Sequence, residues 1–247
     1  ANFELSNAQQ EAYKAINESL KTKNCVLLKG VTSSGKTLIY IRLIEQVIQK
    51  NQQALLLLPE IGLTTQLINR LRKHFGNKIG VYHSKFSDNE RVECWNHVAD
   101  GSYQVILGTR SSIFLPFQQL GVIIVDEEHD ASYKQNDPAP CYNGRDTAIY
   151  LASLHQAKVI LGSATPSLES YHNAKSEKYG LVEINERYGG IELPSIVFAD
   201  MAEETKKKWE DLLNTTTRGH LKYSPLKQIT YNFIKSLDLH EANLEIL

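Results

Sequence analysis

The sequence predicts an α/β fold, a mostly parallel, doubly wound sheet with helices on both faces, and three observations carry that reading. Short apolar runs recur at residues 25–28, 54–58, 79–82, 105–108, 122–125 and 159–161. Uninterrupted runs of that length suit strands covered on both sides, as parallel strands are. Segments with apolar residues at helical spacing alternate with them, the order produced by βα units. Finally, Gly30-Val31-Thr32-Ser33-Ser34-Gly35-Lys36-Thr37 fits the pattern G-x-x-x-x-G-K-[ST] and stands between a strand and a helix.

Each element has its local reason. A helix opens at Leu5-Ser6-Asn7-Ala8-Gln9-Gln10 and runs to about Leu20, with Ala12, Ile16 and Leu20 on one face. The strand at 25–28 leads through the glycine-bounded loop into a helix carrying Leu38, Ile41, Ile44 and Ile48. After the strand at 54–58 a helix is expected from about Thr64 to Phe75, stopped by Gly76. Ser87 and Glu90 have the spacing of a capping box, which starts a helix running towards Ala99. A further helix over about 145–154 precedes the strand at 159–161. From about Asn185 the pattern changes. Arg187-Tyr188-Gly189-Gly190 and Pro194 mark a domain edge, Ile196 to Ala199 read as a strand, and Lys206-Lys207-Lys208 as a solvated charge run. Ser224-Pro225 is a helix start, followed by an apolar stripe of Leu226, Ile229, Phe233 and Leu237. Residues 1–190 are therefore expected to form one lobe, and 191–247 a linker with the start of another.

Bulk properties narrow the function classes. A chain of 247 residues can bury a full core, and a net charge of −1 excludes a globally basic protein while leaving room for a local basic groove. Cys25, Cys94 and Cys141 lie far apart, which argues against a disulfide framework or a zinc site and suits a reducing cytoplasm. No apolar run reaches membrane-spanning length, and the N-terminus has no signal-peptide pattern. A cytoplasmic protein with no membrane attachment is expected. The chain reads as an excised portion of a longer protein, with Ala1 outside the natural sequence.

The chemistry is expected where the strands end. Backbone N–H groups at a helix start, with glycines that let the chain pass close, enclose phosphate oxygens. On this reading Gly30, Thr32, Ser33, Ser34 and Gly35 line a nucleoside triphosphate, Lys36 reaches its β and γ phosphates, and the Thr37 hydroxyl binds Mg²⁺. Past Val125 stand Asp126-Glu127-Glu128-His129. An acid ending a buried strand beside a phosphate loop is placed to hold Mg²⁺, here Asp126, and Glu127 to orient and deprotonate the attacking water. Glu128 and His129 complete the candidate nucleotide site. Past Leu161, Ser163 and Thr165 are hydroxyls able to sense the γ-phosphate. Past Leu107, Thr109, Arg110 and Ser111 are able to hold a phosphodiester backbone. Gln9 has two readings, the polar start of a packing helix or a side-chain amide that reads adenine.

Together these residues resemble the superfamily 2 helicases, and within them the primosomal protein N′ family of replication-restart DNA helicases. The resemblance covers about Leu5 to Met201 and rests on the phosphate loop, Leu58-Pro59-Glu60-Ile61-Gly62-Leu63-Thr64, and His83-Ser84 with Glu90-Arg91 and Trp95. It continues through Gly108-Thr109-Arg110-Ser111-Ser112-Ile113-Phe114, Pro116-Phe117, Leu120-Gly121 and Asp126-Glu127-Glu128-His129-Asp130. Ser132-Tyr133-Lys134-Gln135, Arg145-Asp146 and Gly162-Ser163-Ala164-Thr165-Pro166 complete it. The discriminating combination is the acidic tetrad with Ser-Tyr-Lys-Gln close behind.

The resemblance implies a RecA-like ATP-binding lobe that uses ATP and Mg²⁺ to drive DNA unwinding in replication restart. It implies that Thr109 and Arg110 contact a DNA strand and that Ser163 and Thr165 couple phosphate state to DNA grip. Tyr133 to Arg145 resembles an aromatic-rich loop, in which Tyr133 and Tyr142 either stack on unpaired bases or pack the loop against the domain; Lys134 and Arg145 belong to it. His83 and Trp95 read mainly as structural. The sequence departs from the family at Cys141, where a basic or bulky residue is usual, and at Gly144, where alanine is. Implied partners are forked or single-stranded DNA, other primosome proteins and single-stranded-DNA-binding protein. Zinc is implied only in the full-length protein, outside this chain, and the lobe is expected to be monomeric. The later helicase motifs, including the arginine finger, are absent from the sequence, so the chain is expected to bind nucleotide with little turnover. Another superfamily 2 translocase, acting on RNA or duplex DNA, and a non-catalytic nucleotide- or DNA-binding module are the alternatives.

Overall fold

The computed structural model describes residues 4–83 and 86–186, together with Lys207. The chain divides into two units at Glu192 and Leu193. The elements expected beyond 187, the strand at 196–199 and the helix from Ser224, lie outside the described residues.

The first unit is built on a seven-stranded sheet whose pairings are all parallel. In chain order its elements are α1 (Asn7–Thr22), β1 (Cys25–Gly30), α2 (Lys36–Ile48), β2 (Gln53–Leu57), α3 (Thr65–Phe75), β3 (Ile79–Tyr82) and α4 (Asp88–Ala99). There follow β4 (Val105–Gly108), a 3-10 turn at Arg110–Phe114, β5 (Leu120–Asp126), the short β6 (Lys134–Gln135) and β7 (Tyr142–Asn143), and α5 (Gly144–His155). β8 (Lys158–Ser163), α6 (Leu168–Lys175) and β9 (Gly180–Ile184) complete the unit. Across the sheet the order is β3-β4-β2-β5-β8-β1-β9, while β6 and β7 pair antiparallel as a separate ribbon. Within the described residues, the helices expected from sequence and the six apolar runs expected as strands all form within two residues of their expected bounds. β9, α6 and the β6–β7 ribbon were not foreseen.

Alternation along the strands divides the core in two. Val26, Leu28, Ala54, Leu56, Val122, Ile124 and Ile160 pack under α1, α2 and α3. Leu27, Leu55, Leu57, Ile123, Val125 and Leu161 pack on the other face, against Cys94 and Val98 of α4, Ala148 and Ala152 of α5 and Ala174 of α6. A strand with apolar residues on both faces is the reason its sequence shows no alternation. Helix starts are locally specified. Ser87 and Glu90 form the expected capping box, Thr64 caps α3, and Asn143 caps α5 by accepting from the N–H groups of Arg145 and Asp146.

Parallel pairing fixes what stands beside what. Gly162 of β8 is level with Leu28 of β1 on one side and with Asp126 of β5 on the other. The loops after β1, β5 and β8 therefore leave the sheet side by side, at the carboxyl edge where ligands of such sheets bind. Among the described residues no helix is long and apolar enough to cross a membrane.

Candidate nucleotide and nucleic-acid site

The phosphate loop is held in shape before any ligand enters. Ser33 and Gly35 both have positive φ, 64° and 78°, and α2 starts at once on Lys36. The Ser34 N–H donates to Val31 O at 3.0 Å. A Cβ at Gly30 would stand 2.8 Å from Ser34 Oγ and 3.2 Å from Lys36 Cγ, so glycine is what leaves room for the lysine stem. Among the described residues Ser34 Oγ, buried, has no hydrogen-bond partner. Thr32 and Ser33 form the exposed crest.

Lys36 is buried along its stem, and its ammonium group donates to Gly30 O at 3.2 Å and lies 3.4 Å from Glu127 Oε1. That contact brings the loop after β1 against the acid after β5. Glu127 has a φ of 45°, a left-handed conformation that costs a non-glycine residue of the order of 1–3 kcal/mol and collects at functional sites. Asp126 ends β5, and its Oδ1 accepts from the Tyr40 hydroxyl at 2.8 Å. Burial raises the pKa of this carboxyl and the neighbouring Glu127 charge adds to that, while the Tyr40 hydrogen bond and Lys36 oppose it. The oxygen donors Thr37 and Asp126 suit a hard cation such as Mg²⁺, which takes one or two protein oxygens and completes its shell with phosphate and water.

His129 links the acidic end of β5 to the loop after β8. Its Nδ1 lies 2.8 Å from Ser163 Oγ and its Nε2 3.4 Å from Thr165 Oγ1, and the ring stands 3.8 Å from Glu127. Ser163 Oγ in turn accepts from the Thr165 N–H at 3.0 Å. Both hydroxyls therefore report to His129 and Glu127.

Four expected site residues have other tasks in the structure. Glu128 does not face the phosphate loop. Its side chain is fully buried, accepting from Ser167 N–H at 2.7 Å, Ser167 Oγ at 3.1 Å, Ser170 Oγ at 2.8 Å and Arg145 Nη1 at 3.0 Å. It ties β5 to the starts of α5 and α6, because residues 127 and 128 turn opposite ways off the strand end. Arg145, expected at DNA, is therefore that carboxylate's counter-ion, with side-chain exposure of 12%. Tyr133 is 1% exposed and donates its hydroxyl to Asp126 O at 2.7 Å, so it packs the loop against the domain and offers no face to a base. Gln9 is equally buried. Its Oε1 accepts from Ser6 N–H at 3.0 Å, completing a capping box, and its Nε2 donates to Ser34 O at 2.9 Å, gripping the phosphate loop.

The remaining candidates gather on the loop after β4. Thr109 is buried, with its N–H on Tyr82 O. Arg110 donates to Ser132 O at 2.9 Å and Gln135 Oε1 at 3.1 Å and lies over the Tyr142 ring at 5.6 Å, while its buried Nε has no partner among the described residues. Gly144 makes this possible, since a Cβ there would meet Arg110 Cγ at 2.9 Å. Tyr142, half-buried, meets Phe114 edge to face at 5.2 Å, and Phe114 is 55% exposed. Ser111 is half-buried and Lys134 exposed. His83 rests against Phe86 at 4.3 Å, and Trp95 is exposed on α4. The sequence reading missed Tyr40 and Phe114. Tyr40 had a signal, a polar-tipped ring four residues past Lys36 inside the apolar run Leu38-Ile39-Tyr40-Ile41.

The chain is 42% identical over 212 residues to the replication restart protein PriA of Chlamydia pneumoniae, which covers 85% of this chain and 28% of that protein. To the replication restart protein PriA of Rickettsia prowazekii it is 44% identical over 204 residues, 83% of this chain and 31% of the relative. The chain thus spans under a third of the curated relatives it matches. A structure of RecG bound to a three-way DNA junction superposes with a TM-score of 0.60 at 20% identity, covering 89% of this chain and 29% of that one. The fold is accordingly a RecA-like α/β lobe. Residues 6–174, which hold the phosphate loop, the acidic strand end and the hydroxyl loop after β8, match the DEAD/DEAH box helicase family, and it is to this family that the chain belongs.

Proposed function

We propose that this chain is the ATP-binding motor lobe of a DNA helicase that couples ATP hydrolysis to unwinding in replication restart. The observation that carries the reading is the 3.4 Å contact between Lys36 and Glu127, which joins a phosphate-binding loop to an acid able to activate water. Likeness to the PriA relatives supports the replication-restart assignment. ATP with Mg²⁺ is the proposed cofactor, forked or single-stranded DNA the proposed partner, and the cytoplasm the proposed location. Other primosome proteins and single-stranded-DNA-binding protein follow as partners of the longer protein, as does zinc. The lobe boundary is proposed near residue 190.

In this mechanism the loop N–H groups and Lys36 hold the β and γ phosphates, and Lys36 leaves Glu127 for the γ-phosphate as nucleotide enters. Glu127, freed and kept in place by its backbone, aligns a water in line with the γ-phosphate and accepts its proton. Thr37 and Asp126 would hold Mg²⁺, which would supply charge neutralisation on the phosphate oxygens. His129, Ser163 and Thr165 bear on the same space and are placed to register departure of the γ-phosphate. Gln9 is proposed to fix the loop through Ser34 O; an adenine contact requires it to exchange that bond.

The deciding experiment uses the longer protein. Lys36→Ala should abolish DNA-stimulated ATP hydrolysis while binding to forked DNA is retained, and Glu127→Gln should bind nucleotide without turnover. Unchanged steady-state hydrolysis in either variant removes that residue from its role. Stimulation by RNA in place of forked DNA would favour the alternative translocase. This chain by itself should bind ADP and turn over slowly, since the second lobe's arginine is needed to stabilise transition-state charge.

A further inference from the structure

We infer that Tyr40 is a positioning residue for the metal site: it aims the Asp126 carboxylate at Mg²⁺ by holding one of its two oxygens. The inference rests on the reading of Asp126 as a metal-holding acid, and three features of the structure carry it.

The first is the contact itself. Tyr40 is buried to 1% exposure, and its hydroxyl donates to Asp126 Oδ1 at 2.8 Å. A ring packed in the core has one rotamer to offer, so the hydroxyl is a fixed point. A backbone hydrogen bond from Glu127 also reaches the Asp126 carboxyl, so the tyrosine and the strand end orient it together. Carboxylates that hold metals are themselves oriented by such outer hydrogen bonds.

The second is the helix that carries it. Lys36, Thr37 and Tyr40 lie within the first two turns of α2. Lys36 and Tyr40, four residues apart, fall on the same face. One rigid helix therefore serves the phosphates through Lys36, the metal through Thr37 and the opposing acid through Tyr40. The phosphate loop and the strand-end acid are set at a fixed distance by a side chain belonging to neither motif.

The third is the space cleared for the hydroxyl. It crosses β8 between β1 and β5 at Gly162, which is level with Asp126. A Cβ on residue 162 would overlap the Tyr40 hydroxyl and stand 3.0 Å from its Cζ and 3.4 Å from Asp126 Oδ1. Gly162 is thus needed where the tyrosine reaches across, a requirement of close approach and not of backbone φ.

The test is binding of a fluorescent ADP analogue to this chain, first without divalent metal and then at rising Mg²⁺. In Tyr40→Phe the metal-free affinity should match the parent, while the Mg²⁺ concentration giving half of the metal-dependent increment should rise by about 10- to 100-fold, the loss typical of an outer-shell partner. An unchanged Mg²⁺ midpoint overturns the proposal, and so does an equal loss of affinity with and without metal, which marks a purely structural tyrosine. If the parent chain binds the analogue with no Mg²⁺ dependence, the metal-site reading itself falls, and the two failures are told apart. A second pair guards against misfolding. Gly162→Ala should lower the melting temperature more in the parent than in Tyr40→Phe, where the overlapping oxygen is gone; an equal loss in both also overturns the proposal.

Discussion

At the scale of single residues, the structure separates two neighbouring glutamates that look alike in sequence. Glu127 faces Lys36 and solvent, whereas Glu128 turns into the protein and meets four donors from Arg145, Ser167 and Ser170. A carboxylate with no exposure persists only because its charge is paired and its lone pairs are filled. Removing one partner leaves the other charged in a dry place. Glu128→Ala should therefore destabilise the chain by about 3–5 kcal/mol, read from the urea midpoint at unchanged slope. Glu128→Gln, which keeps the acceptor for Ser167 N–H, should cost less. Equal losses would mean that the acceptor kept by the amide contributes nothing and that the lost ion pair with Arg145 carries the whole effect. Thiols show the same dependence on surroundings. Burial pushes Cys25 up to about 12 and Cys94 to about 11, and Cys141 is exposed. One thiol should react with a thiol reagent in the native chain and two more only after unfolding.

Elements were the most legible scale, because strand and helix reflect short-range pattern. All six apolar runs became strands, and the capping box at Ser87 did what its spacing promised. β9 escaped notice since Gly180-Leu181-Val182-Glu183-Ile184 sits at the sheet edge and is not uniformly apolar. What joins the elements was less visible. Gln53, at the start of β2, is 3% exposed; it donates to Val98 O and Tyr103 O and accepts from the N–H groups of Gln118 and Gln119. One amide thereby fastens the end of α4, the turn before β4 and the entry to β5. Gln53→Leu, nearly equal in size, should cost about 1–3 kcal/mol by leaving buried backbone groups unpaired. A melting temperature within error of the parent would show that these groups find other partners.

On the scale of the whole molecule, the rim after β4 and the β6–β7 ribbon form one surface distinct from the nucleotide pocket. Arg110 lies over the Tyr142 ring there and Phe114 meets that ring edge to face, joined to the strand end of β5 through Ser132 and Tyr133, whose hydroxyl donates to the backbone of Asp126. If single-stranded DNA crosses this rim, Phe114→Ala should weaken its binding by the equivalent of about 1–3 kcal/mol, the size of one base–aromatic stack. Phe114→Trp should preserve it, and ADP binding should be unaffected by either. Anisotropy with an oligothymidylate checks both, and equal affinities across the three proteins would remove Phe114 from any DNA contact.

The sequence by itself determined the fold class, the strand and helix order, and that the glycine-bounded loop after β1 and the acidic end of β5 leave the sheet at the same edge. These depend on local periodicity, on glycine placement and on the rule that parallel strands present their ends together. Only the tertiary structure decided which way each polar side chain turned at those ends. It sent Glu127 towards Lys36 and Glu128 into the core, buried Tyr133, and brought Tyr40 from one helix across a glycine to Asp126. Such directions are set by partners far away in sequence, 86 residues in the last case, and no local pattern records a partner that only packing brings near.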